Sequence, residues 1–221
     1  MDRLKFGRLY KIIFNNKYVA NFLDAIPGLN EILMLGRIHD LEKKQVGSLR
    51  REAKYDMIIV DAPATGHGLS ALEVPNVLMK AVKVGPLAKY AKDILELLKN
   101  EEHTAFSLVT LAEEMPVQES YEYVQKLLKH SSIAIGPILI NAVMPEIEKN
   151  KIEKSKDQDL QEIVDYYQLS LSRRKLHEHY IADIKQRFVG FHTVELPYLF
   201  HELHKKRDYS PLVKVMKESL Q

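Results

Sequence analysis

Four short apolar runs set the limits on what this chain can fold into. They are Met57–Val60, Phe106–Ala112, Ile133–Ile140 and Val189–Leu196. The first three are nearly continuous, as in strands of a sheet covered on both faces. Helical patterns lie between the later runs. Pro116–Lys129 has proline near its start and apolar Val117, Tyr121, Val124, Leu127 and Leu128 at helical spacing. Leu160–Phe188 keeps that spacing through Ile163, Val164, Tyr167, Leu171, Ile181, Ile184 and Phe188. Strand alternating with helix predicts an α/β fold with a parallel sheet and right-handed crossovers.

The rest of the chain reads as helices and loops. Residues 1–54 form a helical region broken at Pro27-Gly28, and Ser70–Asn100 carries two more helical patterns broken at Gly85-Pro86. Residues 55–204 are the α/β core, with 69–100 as a helical insertion, and 205–221 form a C-terminal helix. Glu146–Asp159 is polar and charged, a loop leading into the long helix. The 221 residues, 46% hydrophobic, suit one globular α/β domain, or one domain with a helical appendage.

Composition excludes some chemistry. No cysteine is present, so disulfides and thiolate metal sites are impossible. A formal net charge of +2 gives no sign of a nucleic-acid partner. No apolar run approaches the roughly 18 residues of a membrane span. The N-terminal MDRLKFGRLYK lacks the apolar core of a signal peptide. A cytoplasmic protein is expected.

The Met57–Val60 run delivers Asp61 at its carboxyl end, where open α/β sheets bind ligands. A carboxylate there commonly holds Mg²⁺ through water. Ala62-Pro63-Ala64-Thr65-Gly66-His67-Gly68 then turns the chain toward a helix starting near Leu69. Glycines let backbone N–H groups face an anion, and a helix N-terminus favours negative charge. The same residues also describe a plain strand-to-helix turn with an aspartate cap.

VDAPATGHGLSALEVP resembles the switch II segment of the arsenite-pump and tail-anchored-protein-targeting ATPases, the ArsA/Get3-type family. Other segments agree in order. LVTLAEEMPVQESYEYVQKL is similar to the family's strand and helix with paired glutamates, here Glu113 and Glu119. GPILINAVMP is similar to its strand ending in an adenine-reading asparagine, here Asn141. VELPYLFHELH is similar to its adenine-side loop, here Pro197 and Tyr198. The resemblance runs from about Tyr55 to His204. It implies a three-layer, parallel-sheet fold of the P-loop NTPase-like, deviant Walker A class with helical insertions. It implies ATP and Mg²⁺ as cofactors, with Asp61 binding Mg²⁺ through water. Thr65, Gly66, His67 and Gly68, in the turn with Pro63, would sense the γ-phosphate and move with it. Asn141 would hydrogen-bond adenine, and Pro197 and Tyr198 would flank the ring. His67 reads equally as a turn histidine bonding backbone.

One half of the family's site has no counterpart in these residues. There is no G-x-x-x-x-G-K-[ST] and no Gly-Lys pair. The lysine and the Ser/Thr of that loop neutralise phosphate charge and contact Mg²⁺ directly. The switch I aspartate that positions the attacking water is also without a counterpart. Resemblance implies that the first, phosphate-loop strand sits beside Met57–Val60. Three expectations follow: a piece of a longer ATPase, a natural paralogue without the loop, or a site completed by another polypeptide. The first is favoured, because residues 1–54 look like the family's insert between switches I and II. The function expected is an ATPase domain that couples ATP binding and hydrolysis to dimer rearrangement. The alternative is a non-catalytic regulatory subunit paired with a complete paralogue. Expected partners are a second copy or a P-loop-containing paralogue, with a protein or membrane-protein client. Weak or no nucleotide binding is expected without the loop.

The remaining features favour packing over chemistry. Basic Arg3, Lys5, Arg8, Lys11 and Lys17 with apolar Leu9, Ile12, Ile13, Val19 and Phe22 read as a solvated face over a packed one. Val82, Leu87, Ala88, Ala91, Ile94, Leu95 and Leu98 form an apolar stripe suited to core or dimer packing. His177, His179, His201 and His204 lack a zinc motif and are expected in surface or capping roles.

Overall fold

The computed structural model describes residues 29–46, 52–62, 72–77, 79–80, 84–130, 133–146 and 158–219. Backbone contacts divide the chain into two units, residues 1–104 with 130–132, and residues 105–129 with 133–221. Among the described residues, no helix is long and apolar enough to cross a membrane.

In the first unit, helix α1 (Leu29–Glu42) begins just after the Pro27-Gly28 break. Two-residue strands β1 (Gln45–Val46) and β2 (Glu52–Ala53) pair antiparallel, Gln45 opposite Ala53. Residues 72–77 and 79–80 are helical. Helix α2 (Pro86–Lys99) starts where the sequence marks it. Gly85 takes a left-handed φ of 102° and Pro86 needs no N–H partner in the first turn. At the other end, Asn100 donates to the Leu97 carbonyl at 3.3 Å, and Thr104 Oγ1 to the same oxygen at 2.8 Å. The stripe expected on α2 is buried at Ala88, Ala91, Ile94 and Leu98, and α2 packs on α1, which buries Leu35 and His39. Val82 and Leu87 lie outside what is described of side chains.

The two helices meet closely at Gly36, where a Cβ would lie 2.6 and 2.7 Å from ring carbons of Tyr90. A ring is a stiff neighbour, and overpacking of this kind costs about 1–3 kcal/mol. Alanine returns up to about 1 kcal/mol of helix propensity. Gly36→Ala is therefore expected to destabilise the first unit by about 1 kcal/mol net. Urea denaturation followed by far-UV circular dichroism checks the sign.

The run Met57–Val60 departs from expectation. It belongs to no strand, and Met57 and Ile59 are 77% and 86% exposed. Extended backbone becomes a strand only by hydrogen-bonding to a neighbour. Among the described residues no strand pairs with this run.

The second unit is a parallel α/β layer. It runs β3 (Ala105–Leu111), α3 (Glu114–His130), β4 (Ala134–Val143), α4 (Gln158–Arg187), β5 (Thr193–Pro197), a 3₁₀ turn (Lys206–Tyr209) and α5 (Ser210–Ser219). The strand order is β3-β4-β5, all parallel. A helix crosses over from β3 to β4 and another from β4 to β5, as the alternating pattern predicts. The core joins Leu108, Ile138, Ile140 and Val194 of the sheet with Val117, Val124, Leu127, Ile181, Ile184 and Phe188 of the helical segments. Polar Thr110 is buried but satisfied: its hydroxyl donates to the Pro116 carbonyl at 3.2 Å and accepts from Ser120 at 2.9 Å. Phe106 stacks on Tyr123 at 5.5 Å, so α3 covers the Phe106, Leu108 and Thr110 face of β3.

The opposite face of β3 differs from expectation. Burial alternates along the strand, and Val109 is 60% exposed. Only one face of β3 carries a cover among the described residues. A continuous apolar run therefore does not guarantee two covered faces.

Candidate functional site at the carboxyl edge of the sheet

Chain ends of parallel strands gather at one edge, and register decides which residues meet there. In the second unit Leu111 of β3 lies opposite Asn141 of β4. On the other side Ile140 pairs with Glu195, but Val143 pairs with Pro197. Three steps along β4 thus match two along β5, leaving one extra residue on β4. The bulge falls at Asn141-Ala142, and Ala142 takes a φ of 56°. Bulges bend a strand and redirect a side chain. Left-handed backbone costs alanine about 1 kcal/mol, so the surrounding contacts must hold it.

Those contacts come from both sides. Tyr198 donates its N–H to the Val143 carbonyl at 2.8 Å, extending the β4–β5 pairing past Pro197. On the helix side, His177 Nδ1 accepts the Met144 N–H at 3.0 Å. Arg174 Nη1 donates to the Met144 carbonyl at 2.8 Å, while its Nε bonds Glu178 Oε1 at 2.8 Å. Arg173 reaches Glu113, just past β3, at 3.7 Å. Helix α4 therefore touches the carboxyl ends of both β3 and β4.

The structure brings together Asn141, Pro197 and Tyr198. Asn141 is exposed, and Tyr198 meets Phe200 edge to face at 5.1 Å. An amide offers a donor and an acceptor in one plane, and a proline and a tyrosine offer flat apolar surface. That set fits a purine base. Asp61 is exposed in the first unit. A free carboxylate of this kind suits Mg²⁺, which keeps most of its waters and takes one or two carboxylates beside phosphate oxygens. Pro63, Thr65, Gly66, His67 and Gly68 lie outside the described residues, as does the basic N-terminal stretch.

Among the described residues, no group of three or more histidines and carboxylates is arranged to hold a metal. His204 is exposed and bonds Glu202 at 2.7 Å. Glu119 lines a groove of about 670 Å³ between α3 and α4 with Glu114, Asp183, His179 and Arg187. Three carboxylates against one guanidinium make that groove unsuited to phosphate.

His177, expected in a surface or capping role, is buried and bonds backbone. It is 4% exposed. Its neighbours Arg173, Arg174, Lys175 and Glu178 read as a solvated face. A signal was available: Ile181, Ile184 and Phe188 mark a stripe, and one turn back from Ile181 lands on His177. Buried Ser170 continues the same stripe.

Burial, and then Arg173 nearby, push the His177 imidazole below its ordinary value; Glu113 opposes and Arg174 adds to the shift. The folded state therefore holds it neutral, with Nδ1 as acceptor and the proton on Nε2. Unfolded, it binds a proton as pH falls below about 6.5. Its contribution to stability is complete above that pH and is lost as pH drops toward the lower folded value. The second unit is expected to have a lower urea midpoint at pH 5.5 than at pH 7.5. His177→Gln, which accepts the same N–H without titrating, should reduce that difference.

A parallel α/β layer with polar and aromatic groups at its carboxyl edge is consistent with a P-loop NTPase-like fold. Residues 7–89 and 83–218 match the model of the anion-transporting ATPase family, and the chain belongs to that family. It is 33% identical over 123 residues to ATPase BagA of Mycobacterium tuberculosis, covering 54% of this chain and 34% of that protein. It is 25% identical over 248 residues to the ATPase ASNA1 homolog of Plasmodium berghei, covering 89% of this chain and 62% of that protein. For the Plasmodium falciparum ASNA1 homolog the values are 24% over 262 residues, 95% and 66%. The chain spans from a third to just under two thirds of these relatives.

Proposed function

We propose that this chain supplies the base-binding and switch II portions of an ATPase that couples ATP binding and hydrolysis to rearrangement of a dimer. The observation that carries this reading is the register of β4 and β5. It sets Asn141, Pro197 and Tyr198 at one edge of the sheet, in a chain of the anion-transporting ATPase family. Asn141 pairs with adenine through its amide, and Pro197 and Tyr198 flank the ring. Asp61 holds Mg²⁺ through water, and the Pro63–Gly68 segment follows the γ-phosphate. The complete assembly has three layers, and a P-loop from outside these residues completes the phosphate site. Mg²⁺ supplies charge neutralisation on the phosphates when bound. The protein's own part is to orient the base and present one carboxylate. The client is a protein or membrane-protein segment.

The test is equilibrium binding of a fluorescent ATP analogue with Mg²⁺. It is run on the chain alone and on the chain mixed with a P-loop-bearing family member, with Asp61→Ala in parallel. Binding that appears or tightens in the mixture and weakens in the variant supports the reading. Tightening that Asp61→Ala leaves unchanged favours the regulatory-subunit alternative. Equal, variant-insensitive binding in both samples sinks both.

A further inference from the structure

The carboxyl end of β4 is held in an unusual way. Past the bulge, Met144 is buried, and its backbone groups have left the strand ladder. Buried N–H and C=O groups need partners. Ordinarily water, a turn or a neighbouring strand supplies them. Here two side chains one turn apart on α4 supply both. His177 Nδ1 takes the N–H at 3.0 Å and Arg174 Nη1 gives to the carbonyl at 2.8 Å. Glu178 fixes the other side of the Arg174 guanidinium at 2.8 Å. The clamp thus grips the backbone of one residue, Met144, on both of its peptide groups.

Met144 lies three residues after Asn141 and two after Ala142, whose φ of 56° is the only positive value at a non-glycine among the described residues. A left-handed alanine relaxes unless its flanks are fixed. One flank is the Tyr198–Val143 bond on the β5 side. The clamp is the other. If Met144 slips, the bulge can migrate, and a shift of one residue would turn the Asn141 side chain to the opposite face of the sheet.

We propose that Arg174 and His177 are positioning residues that hold the bulge at Ala142 and so fix the direction of the Asn141 amide toward a bound base. The proposal rests on the reading of Asn141 as the adenine contact. Neither residue touches the base. Arg174 serves as the oriented donor because its guanidinium can bond Glu178 and Met144 at once. His177 serves as an acceptor only in its neutral form.

A purely structural role makes a different forecast. In that case, loss of the clamp lowers stability but leaves the Asn141 amide where it was. The deciding measurement is NMR on the full chain labelled with nitrogen-15, without nucleotide. The wild type is compared with His177→Leu, His177→Gln and Arg174→Gln. In His177→Leu the Met144 amide should exchange with solvent about tenfold faster, as expected for one lost buried hydrogen bond. The Asn141 side-chain amide signals should move in the same variant. In His177→Gln, whose carbonyl can accept the same N–H, both should return toward wild type. If His177→Leu does not fold, Arg174→Gln carries the same comparison from the carbonyl side. Faster Met144 exchange with unmoved Asn141 signals overturns the proposal.

A second arm uses ADP and GDP binding in the presence of the P-loop-bearing family member. Asn141→Leu that leaves the ADP to GDP ratio unchanged overturns the adenine reading, and with it the target of the clamp. Asn141→Leu that lowers the ratio while His177→Leu does not overturns the clamp alone. A fall of the ratio in both, restored by His177→Gln, supports both.

Discussion

Phe188→Ala lowers the stability of the second unit by about 4 kcal/mol, within the usual cost of emptying a buried phenylalanine site. The ring is 2% exposed at the turn that follows α4. Its N–H still donates to the Ile184 carbonyl at 2.9 Å, so its backbone is fixed as firmly as in the helix. The ring meets Tyr121 of α3 edge to face at 6.0 Å and Phe191 at 6.4 Å. Arg187 lies over the outer side of Tyr121 at 5.4 Å from the ring centre, closing the cluster against solvent. Removing Phe188 therefore leaves a cavity bounded by two other rings and the foot of a long helix. Stiff rings collapse into a void less readily than aliphatic chains, which places the cost in the upper part of the range. Urea denaturation should show a lower midpoint with an unchanged slope. Phe188→Leu keeps most of the volume and should cost about 1 kcal/mol. Equal midpoints for wild type and Phe188→Ala would mean that Phe188 is not the keystone of this core.

Phe188 was legible because local chemistry and distant packing agree there. It closes the apolar spacing of the Leu160–Phe188 pattern, and the structure buries it for that reason. The three parallel strands were legible in the same way. Their runs of Ile, Leu and Val fall between helices of recognisable period, and parallel pairing needs such crossovers. Met57–Val60 has the same composition and still makes no strand among the described residues. Its side chains say what the segment wants to pack against. Its backbone needs a ladder partner, and composition does not supply one. The exposed side of β3 teaches the same point, because Val109 is as apolar as Leu108 and only one of them is covered.

Asn141, Pro197 and Tyr198 were named from segments that resemble the family's in order, and the register places them at one edge of the sheet; their contact with a base is part of the proposal. The bulge beside Asn141 was not legible, since alanine gives no hint of a left-handed φ. The clamp escaped as well. His177 and Met144 are 33 residues apart, and a histidine among arginines and lysines reads as surface. Its burial depends on α4 crossing the carboxyl end of β4, which is a tertiary fact.

Asn141→Leu weakens adenine-nucleotide binding by roughly 30-fold, about 2 kcal/mol, the usual worth of a bidentate amide–adenine pair. Leucine has almost the shape of asparagine but neither its donor nor its acceptor. The bound base would then keep its apolar contacts with Pro197 and Tyr198 and lose only the two polar bonds. Bound purine groups left without partners carry a desolvation cost, so the loss exceeds that of two solvent-exposed bonds. The effect should be selective. Asn141 lies in β4, away from any phosphate contact the family resemblance implies, so inosine and guanine nucleotides should bind the variant about as well as wild type. Fluorescence competition among ATP, GTP and ITP, with the P-loop-bearing family member present, measures this directly. A uniform loss across all three would place Asn141 in the folding of the edge. A loss confined to ATP would place it on the base. Asn141→Asp sharpens the distinction, because it keeps the acceptor, removes the donor and adds a charge. It should bind ATP worse than leucine does if the amide faces an acceptor nitrogen of the ring, since two acceptors would then oppose each other.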